Sequence, residues 1–283
     1  MHSDFAAIGV FDSGFGGLSV ARALRARLPE LPILYAADCA NAPWGDRSED
    51  YIGERADAMT QFLLAHGACA IVIACNTATA VAHERLSGSL SVPVFGIEPA
   101  LAEAAAETST GVIATLATRA TIASGRYQRR KADMLSAAPN LTVLDQPCPG
   151  LMECVERGEF MTERTLALVE RYLTPLLAAG ADELILGCTH YPFLWQAILD
   201  AAHRLAPDRS VRLVHPEARV AAHIEETLAR LGMLTEDAAG DEKTAAGRNP
   251  NDRFFAVGAN AERQAVLDVL WGRGAKLEAL NAV

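Results

Sequence analysis

Two cysteines stand where a thiol can do chemistry. Cys75 follows the apolar run Ile71-Val72-Ile73-Ala74 and Cys188 follows Leu184-Ile185-Leu186-Gly187, and a helical pattern comes after each. A thiol at the seam between a strand and a helix meets unpaired backbone N–H groups and the positive end of the helix dipole. Both favour thiolate and offer donors to a carboxylate. Polar neighbours accompany each: Asn76 and Thr77 after the first, Thr189 and His190 after the second, with Asp12 and Ser13 ending an earlier apolar run. A buried apolar cysteine is the simpler reading of either position alone. Recurrence at two equivalent strand ends argues against it. Neither cysteine has C-x-x-C spacing, and no four-ligand set is assembled around them, so neither a disulfide nor a metal site is expected. Two thiols facing each other across a cleft, one ionised and one protonated, can take a proton from one face of a carbon and return another to the opposite face. That inverts a stereocentre and needs no cofactor.

The elements that must hold these residues read as alternating strands and helices. Apolar runs rich in Val and Ile predict strands at 8–11, 33–37, 70–74, 94–97, 111–116, 141–144, 183–186, 211–214 and 254–257, with helices between them such as 18–28, 48–66, 164–177 and 220–231. Near-continuous apolar strands alternating with helices predict α/β architecture with mainly parallel sheets flanked by helices. Ligands of such sheets sit at the carboxyl ends of the strands. The Cys75 and Cys188 segments are 113 residues apart, and a weaker match relates Phe11-Asp12-Ser13 to Leu116-Ala117-Thr118 at an offset of about 105. The period is too long for a solenoid and suits two pseudo-symmetric domains with the active site in the cleft between them. Prolines 93 and 99 bracket one crossing and Pro207 to Arg209 another, which gives a discontinuous first domain of 1–97 plus 209–283 and a second of 98–208. The polar stretch 235–252 reads as a loop.

Among 283 residues, 51% are apolar and 21% charged, the composition of a globular chain long enough for a large core. With 25 basic against 35 acidic residues and a net charge of −10, nucleic acid and anionic membranes are not expected partners. The most apolar stretch, 68–82, is interrupted by Asn76, Thr77 and Thr79, so no membrane span is expected, and the N-terminus lacks the pattern of a signal peptide. Six scattered cysteines point to free thiols in a reducing cytoplasm. The loop Asp12-Ser13-Gly14-Phe15-Gly16-Gly17 imitates a dinucleotide fingerprint, and Asp38 imitates its ribose-binding acid. Ser19 occupies the place of the third glycine and Asp12 would repel a pyrophosphate, so the glycines are read instead as letting backbone turn and approach a small ligand.

The segments VFDSGFGGLSV (10–20), DCANAPWGD (38–46), ACNTA (74–78), GIEPA (96–100), ATRAT (117–121) and LGCTHYPFL (186–194) together resemble the bacterial glutamate racemases of the aspartate/glutamate racemase superfamily. The resemblance implies a two-domain fold with an interdomain active site and pyridoxal-independent interconversion of L- and D-glutamate for peptidoglycan synthesis. It matches Cys75 and Cys188 to the two acid/base thiols, with Asp12 assisting Cys75 and His190 assisting Cys188. It matches Asp12, Ser13, Trp44, Gly45, Asn76, Thr77, Thr118, Thr121, Thr189 and His190 to substrate contacts, and Glu156 to a carboxylate near the second thiol. Capping would equally account for Asp12, a turn hydroxyl for Ser13, a structural imidazole for His190 and a solvated helix charge for Glu156. Trp44 departs from the tyrosine usual in the family's Pro-Tyr-Gly loop, so any contact made by that phenol is missing. The resemblance also implies a homodimer. It leaves two alternatives: another acidic substrate such as aspartate, and a protein-binding role restraining DNA gyrase, to which no residue here points.

Overall fold

The computed structural model describes residues 7–234 and 249–280. Its strands are β1 (Ala7–Asp12), β2 (Ile33–Ala37), β3 (Ala68–Ile73), β4 (Val94–Gly96), β5 (Val112–Ala117), β6 (Thr142–Pro147), β7 (Glu183–Gly187), β8 (Arg212–Val214), β9 (Arg253–Ala256) and β10 (Leu277–Ala279). They form a six-stranded sheet in the order β10-β9-β2-β1-β3-β4 and a four-stranded sheet in the order β6-β5-β7-β8. Every pairing is parallel. Parallel strands need crossover connections, and the helices that make them cover both sheet faces, which is why β1, β2 and β7 are buried along their whole length.

The order β2-β1-β3-β4 is repeated as β6-β5-β7-β8. In each copy the chain changes winding direction beside its first strand, between β1 and β3 and again between β5 and β7. These are the switch points where carboxyl ends of strands diverge and leave a crevice. Asp12 and Cys75 stand at the first, and Thr118 and Cys188 at the second. The internal likeness of the two cysteine segments is thus a likeness of topology.

The helices α1 (Leu18–Arg27), α2 (Glu49–Ala65) and α3 (Asn76–Ser89) belong to the first sheet. One expected boundary moves. Strand β8 pairs with β7, so the segment after residue 209 first completes the second sheet and returns only after Val214. The helix Glu217–Arg230 then packs on α1, and Ser19 Oγ donates to Glu217 Oε1 at 3.3 Å. Strand β10 carries only three residues at a sheet edge, too few for a period-two pattern to show. Most of the stretch expected as a loop, 235–248, lies outside the described residues. At its far end Asp252 accepts from Ile33 N at 2.9 Å and pairs with Arg25.

Candidate active site

The first half of the site grows from the end of β1. Asp12 is fully buried, its Oδ1 accepts from Ser13 N at 2.7 Å and its Oδ2 from Gly17 N at 2.7 Å, which ties the strand to the turn into α1. Thr189 Oγ1 from the other sheet also donates to Oδ2, at 3.2 Å. Asp12 therefore joins the two halves and does not serve the Cys75 side alone. Burial pushes its carboxyl up, and the His190 charge and the hydrogen bonds only partly offset that. Cys75 is the N-cap residue of α3, in extended backbone, and its Sγ–H donates to Ser13 Oγ at 3.9 Å. Burial and the Asp12 charge hold this thiol well above its ordinary value. A helix terminus contributes at most about 2 kcal/mol toward the thiolate, and full burial outweighs it, so Cys75 rests as a thiol.

The second half differs from the expectation. Cys188 does not open an α-helix: Tyr191 N donates to Cys188 O at 3.0 Å, a 3-10 turn spans Tyr191–Leu194, and α-helix begins only at Trp195. Its partner is an imidazole. His190 Nδ1 lies 3.6 Å from Cys188 Sγ, and His190 Nε2 lies 2.8 Å from Glu156 Oε1 at the end of the helix Leu151–Glu156. Burial alone would lower His190, but Cys188 and Glu156 raise it well above the usual histidine range. As an imidazolium it donates from both nitrogens, to the sulfur and to the carboxylate. Gly16 N, 3.2 Å from Nε2, is then a close neighbour without a lone pair to meet.

The loop glycines have a different purpose from the one expected. A Cβ on Gly14 would lie 2.3 Å from Glu156 Oε1, one on Gly16 2.2 Å from His190 Nδ1, and one on Gly17 2.8 Å from Asp12 Cβ. Phe15 N donates to Glu156 Oε1 at 2.6 Å. Bare backbone here lets the first half press against the assistants of the second thiol, and no ligand is needed to explain it.

One cavity takes in both thiols, with Asp12, Ser13, Asn76 and Thr77 from the first half and Thr118, Thr189 and His190 from the second. Thr77 Oγ1 lies 2.9 Å from Thr118 Oγ1 and 3.3 Å from Thr121 Oγ1, a hydroxyl cluster that bridges the halves. Thr121 and Glu156 stand behind the lining residues. Asn76 is buried, yet neither its amide oxygen nor its amide nitrogen has a partner among the described residues. Trp44 and Gly45 form one wall. The Trp44 ring is buried and its Nε1 donates to Asp38 Oδ2 at 3.2 Å, so Asp38 holds protein and no ribose. At the rim Arg119 pairs with Asp46 at 3.3 Å, and Glu153 also lines the cavity. These three, and the contact made by Phe15 N, were not anticipated: they arise only where segments distant in sequence meet. Among the described residues no group of three or more His, Cys, Asp or Glu side chains could hold a metal ion.

A family model for Asp/Glu/hydantoin racemases matches residues 18–227. Over 279 residues, 98% of this chain and 99% of the relative, the sequence is 42% identical to a glutamate racemase of Ectopseudomonas mendocina. The chain belongs to the Asp/Glu/hydantoin racemase family. Solved members share the fold. A glutamate racemase isoform from Bacillus anthracis superposes with a TM-score of 0.82 at 30% identity, covering 98% of this chain and 97% of that one. A glutamate racemase from Francisella tularensis in complex with D-glutamate gives 0.79 at 27% identity, with 98% of each chain covered.

Proposed function

We propose that the chain is a cofactor-independent glutamate racemase in which Cys75 and Cys188 act as the two acid/base groups. The observation that carries the reading is one cavity lined by two buried thiols from equivalent strand ends, with Ser13 beside Cys75 and His190 beside Cys188. Relatives named glutamate racemase, one of them solved with D-glutamate, supply the substrate. The rest state is asymmetric: a Cys75 thiol, and a Cys188 sulfur facing the His190 imidazolium. With Cys188 ionised, its sulfur takes the α-proton of one enantiomer, and the Cys75 thiol gives its proton to the opposite face of the planar carbanion. The products are the other enantiomer, a Cys75 thiolate and a Cys188 thiol, which is the form that accepts the other enantiomer. Asn76 offers a donor and an acceptor that nothing among the described residues uses, and Ser13, Thr77, Thr118 and Thr189 add hydroxyls around it. Donors of this kind bind carboxylates and stabilise the charge that develops during proton transfer, most strongly where water is excluded.

Circular dichroism on a panel of D- and L-amino acids tests the reading. Fast racemisation of glutamate is expected, while preferential turnover of aspartate assigns the site to a different acidic substrate. The same reading makes the chain a cytoplasmic homodimer that supplies D-glutamate for peptidoglycan, on the strength of the family resemblance. Light scattering checks the dimer. Retention of gyrase on the immobilised enzyme would add a protein-binding role.

A further inference from the structure

We propose that Arg55 is a positioning residue for racemisation, acting through Asp38 to fix the Trp44–Gly45 wall of the substrate cleft; this rests on the racemase reading above. Asp38 is fully buried just past the end of β2. Its carboxylate takes four side-chain donors: Arg55 Nε on Oδ2 at 2.8 Å, Arg55 Nη2 on Oδ1 at 2.8 Å, Asn41 Nδ2 on Oδ1 at 2.8 Å and Trp44 Nε1 on Oδ2 at 3.2 Å. That fills the acceptor capacity of an ionised carboxylate. Arg55 supplies half of it, and the only charge, from α2, and it does not itself line the cavity.

The other end of the chain of contacts is the site. Trp44 is followed by Gly45, whose oxygen accepts from Ala120 N at 3.1 Å, and a Cβ on Gly45 would lie 2.8 Å from Thr118 Cβ. Asp38 N also donates to Asp12 O at 3.0 Å, so one residue holds both the acid at the end of β1 and the wall opposite it. Where the family's usual tyrosine stands, Trp44 brings an N–H that reaches the buried carboxylate. Without the guanidinium, the buried Asp38 carboxylate is left with neutral donors alone; it then turns toward other donors or draws in water. Either change withdraws the acceptor that orients the indole. Lysine, a point charge, cannot reproduce the two parallel bonds and restores only part of the effect.

The test uses full-length enzyme carrying Trp195→Phe and Trp271→Phe, so that Trp44 is the sole indole. In that background Arg55→Met should raise KM for glutamate by about tenfold or more while kcat falls by less than about threefold, because the wall binds substrate and transfers no proton. Trp44 emission should shift to the red, Arg55→Lys should fall between the two, and adding Asp38→Asn to Arg55→Met should cost little more than either alone. An unchanged KM together with unchanged Trp44 emission overturns the proposal, as do fully additive Arg55→Met and Asp38→Asn effects. If Arg55→Met does not fold, Arg55→Lys carries the same two readouts. Absence of racemisation by the parent enzyme would refute the racemase reading, whereas the emission shift and its additivity would still decide whether Arg55 positions Trp44.

Discussion

Replacing Glu156 by glutamine removes a charge and almost no volume. In the native site Glu156 Oε1 accepts from His190 Nε2 at 2.8 Å and from Phe15 N at 2.6 Å. The glutamine oxygen can keep the backbone bond, but the bond from the imidazolium loses its ionic partner. Hydrogen bonds to charged groups contribute about 1.5–3 kcal/mol against about 0.5–1.5 for neutral ones, so the imidazolium loses about 1–2 kcal/mol. If the transition state for transfer at Cys188 needs that imidazolium in full, kcat/KM falls about 5- to 30-fold. Because L- and D-glutamate are equal in free energy, kcat/KM must fall by the same factor from either side. The asymmetry therefore has to be sought in isotope effects measured with α-deuterated L- and D-glutamate. Proton transfer at Cys188 becomes more rate-limiting, so the primary effect on kcat/KM should rise for the enantiomer that Cys188 deprotonates and fall for the other. The pH dependence has a definite sign as well. His190 is held above the ordinary histidine value, so the imidazolium is present below that value and is lost as pH rises through the elevated one. The variant, lacking the Glu156 charge that helps raise His190, should bring that loss to lower pH. Isotope effects that move together for both enantiomers, or an alkaline limb that stays in place, would refute the assignment of Glu156 and His190 to Cys188.

Cys75→Ser and Cys188→Ser should each lower racemisation by about a hundredfold or more, since one thiol cannot serve both faces; polarimetry showing near-native turnover in either would sink the two-base mechanism. Asn76→Ala removes two buried polar atoms that the protein leaves unpartnered, so thermal stability should hold or rise while kcat/KM falls about tenfold or more; a loss of stability with unchanged kinetics would make Asn76 structural. Burial pushes the Asp182 carboxyl up, but donors from Thr108, Ser109 and Thr110 outweigh it and bring it down to about 2. Its contribution is thus present above the unfolded carboxylate value and lost as pH falls from about 4 to about 2; urea midpoints across that window should fall less steeply for Asp182→Asn than for the parent.

Much of the architecture was readable because buried parallel strands announce themselves. AIGVF and ILYAA are apolar without interruption, the first running straight into Asp12, and each strand lies within a residue or two of its expected bounds. The two thiols were readable for a related reason: a polar cluster directly after such a strand has nowhere to go but the carboxyl end of the sheet. Position along the chain could not show what tertiary contact decides. His190 and Glu156 are 34 residues apart, and Gly16 reaches His190 across 174, so neither pairing has a local signature. The surroundings of Cys188 misled for a local reason. Thr189-His190-Tyr191-Pro192 turns the chain through a 3-10 segment, since the proline suits a first turn but the α-helix waits until Trp195. Strand β8 was visible as a strand, yet its neighbour was not, because three residues carry no mark of the sheet they will join.

The repeated strand order has a stereochemical consequence. To the extent that two halves presenting equivalent strand ends to one cavity are exchanged by a two-fold rotation, that operation carries one face of a planar carbanion onto the other. The glutamate carbanion has a rough two-fold axis of its own, along the bond from the α-carbon to nitrogen, which swaps a carboxylate with an arm that also ends in one. A diacid therefore fits such a chamber in two orientations that differ mainly in arm length. Perfect symmetry would make L and D indistinguishable in every rate constant. On the two-thiol mechanism proposed above, the mismatch between Ser13 beside one sulfur and the His190–Glu156 pair beside the other would let kcat differ for the two hands.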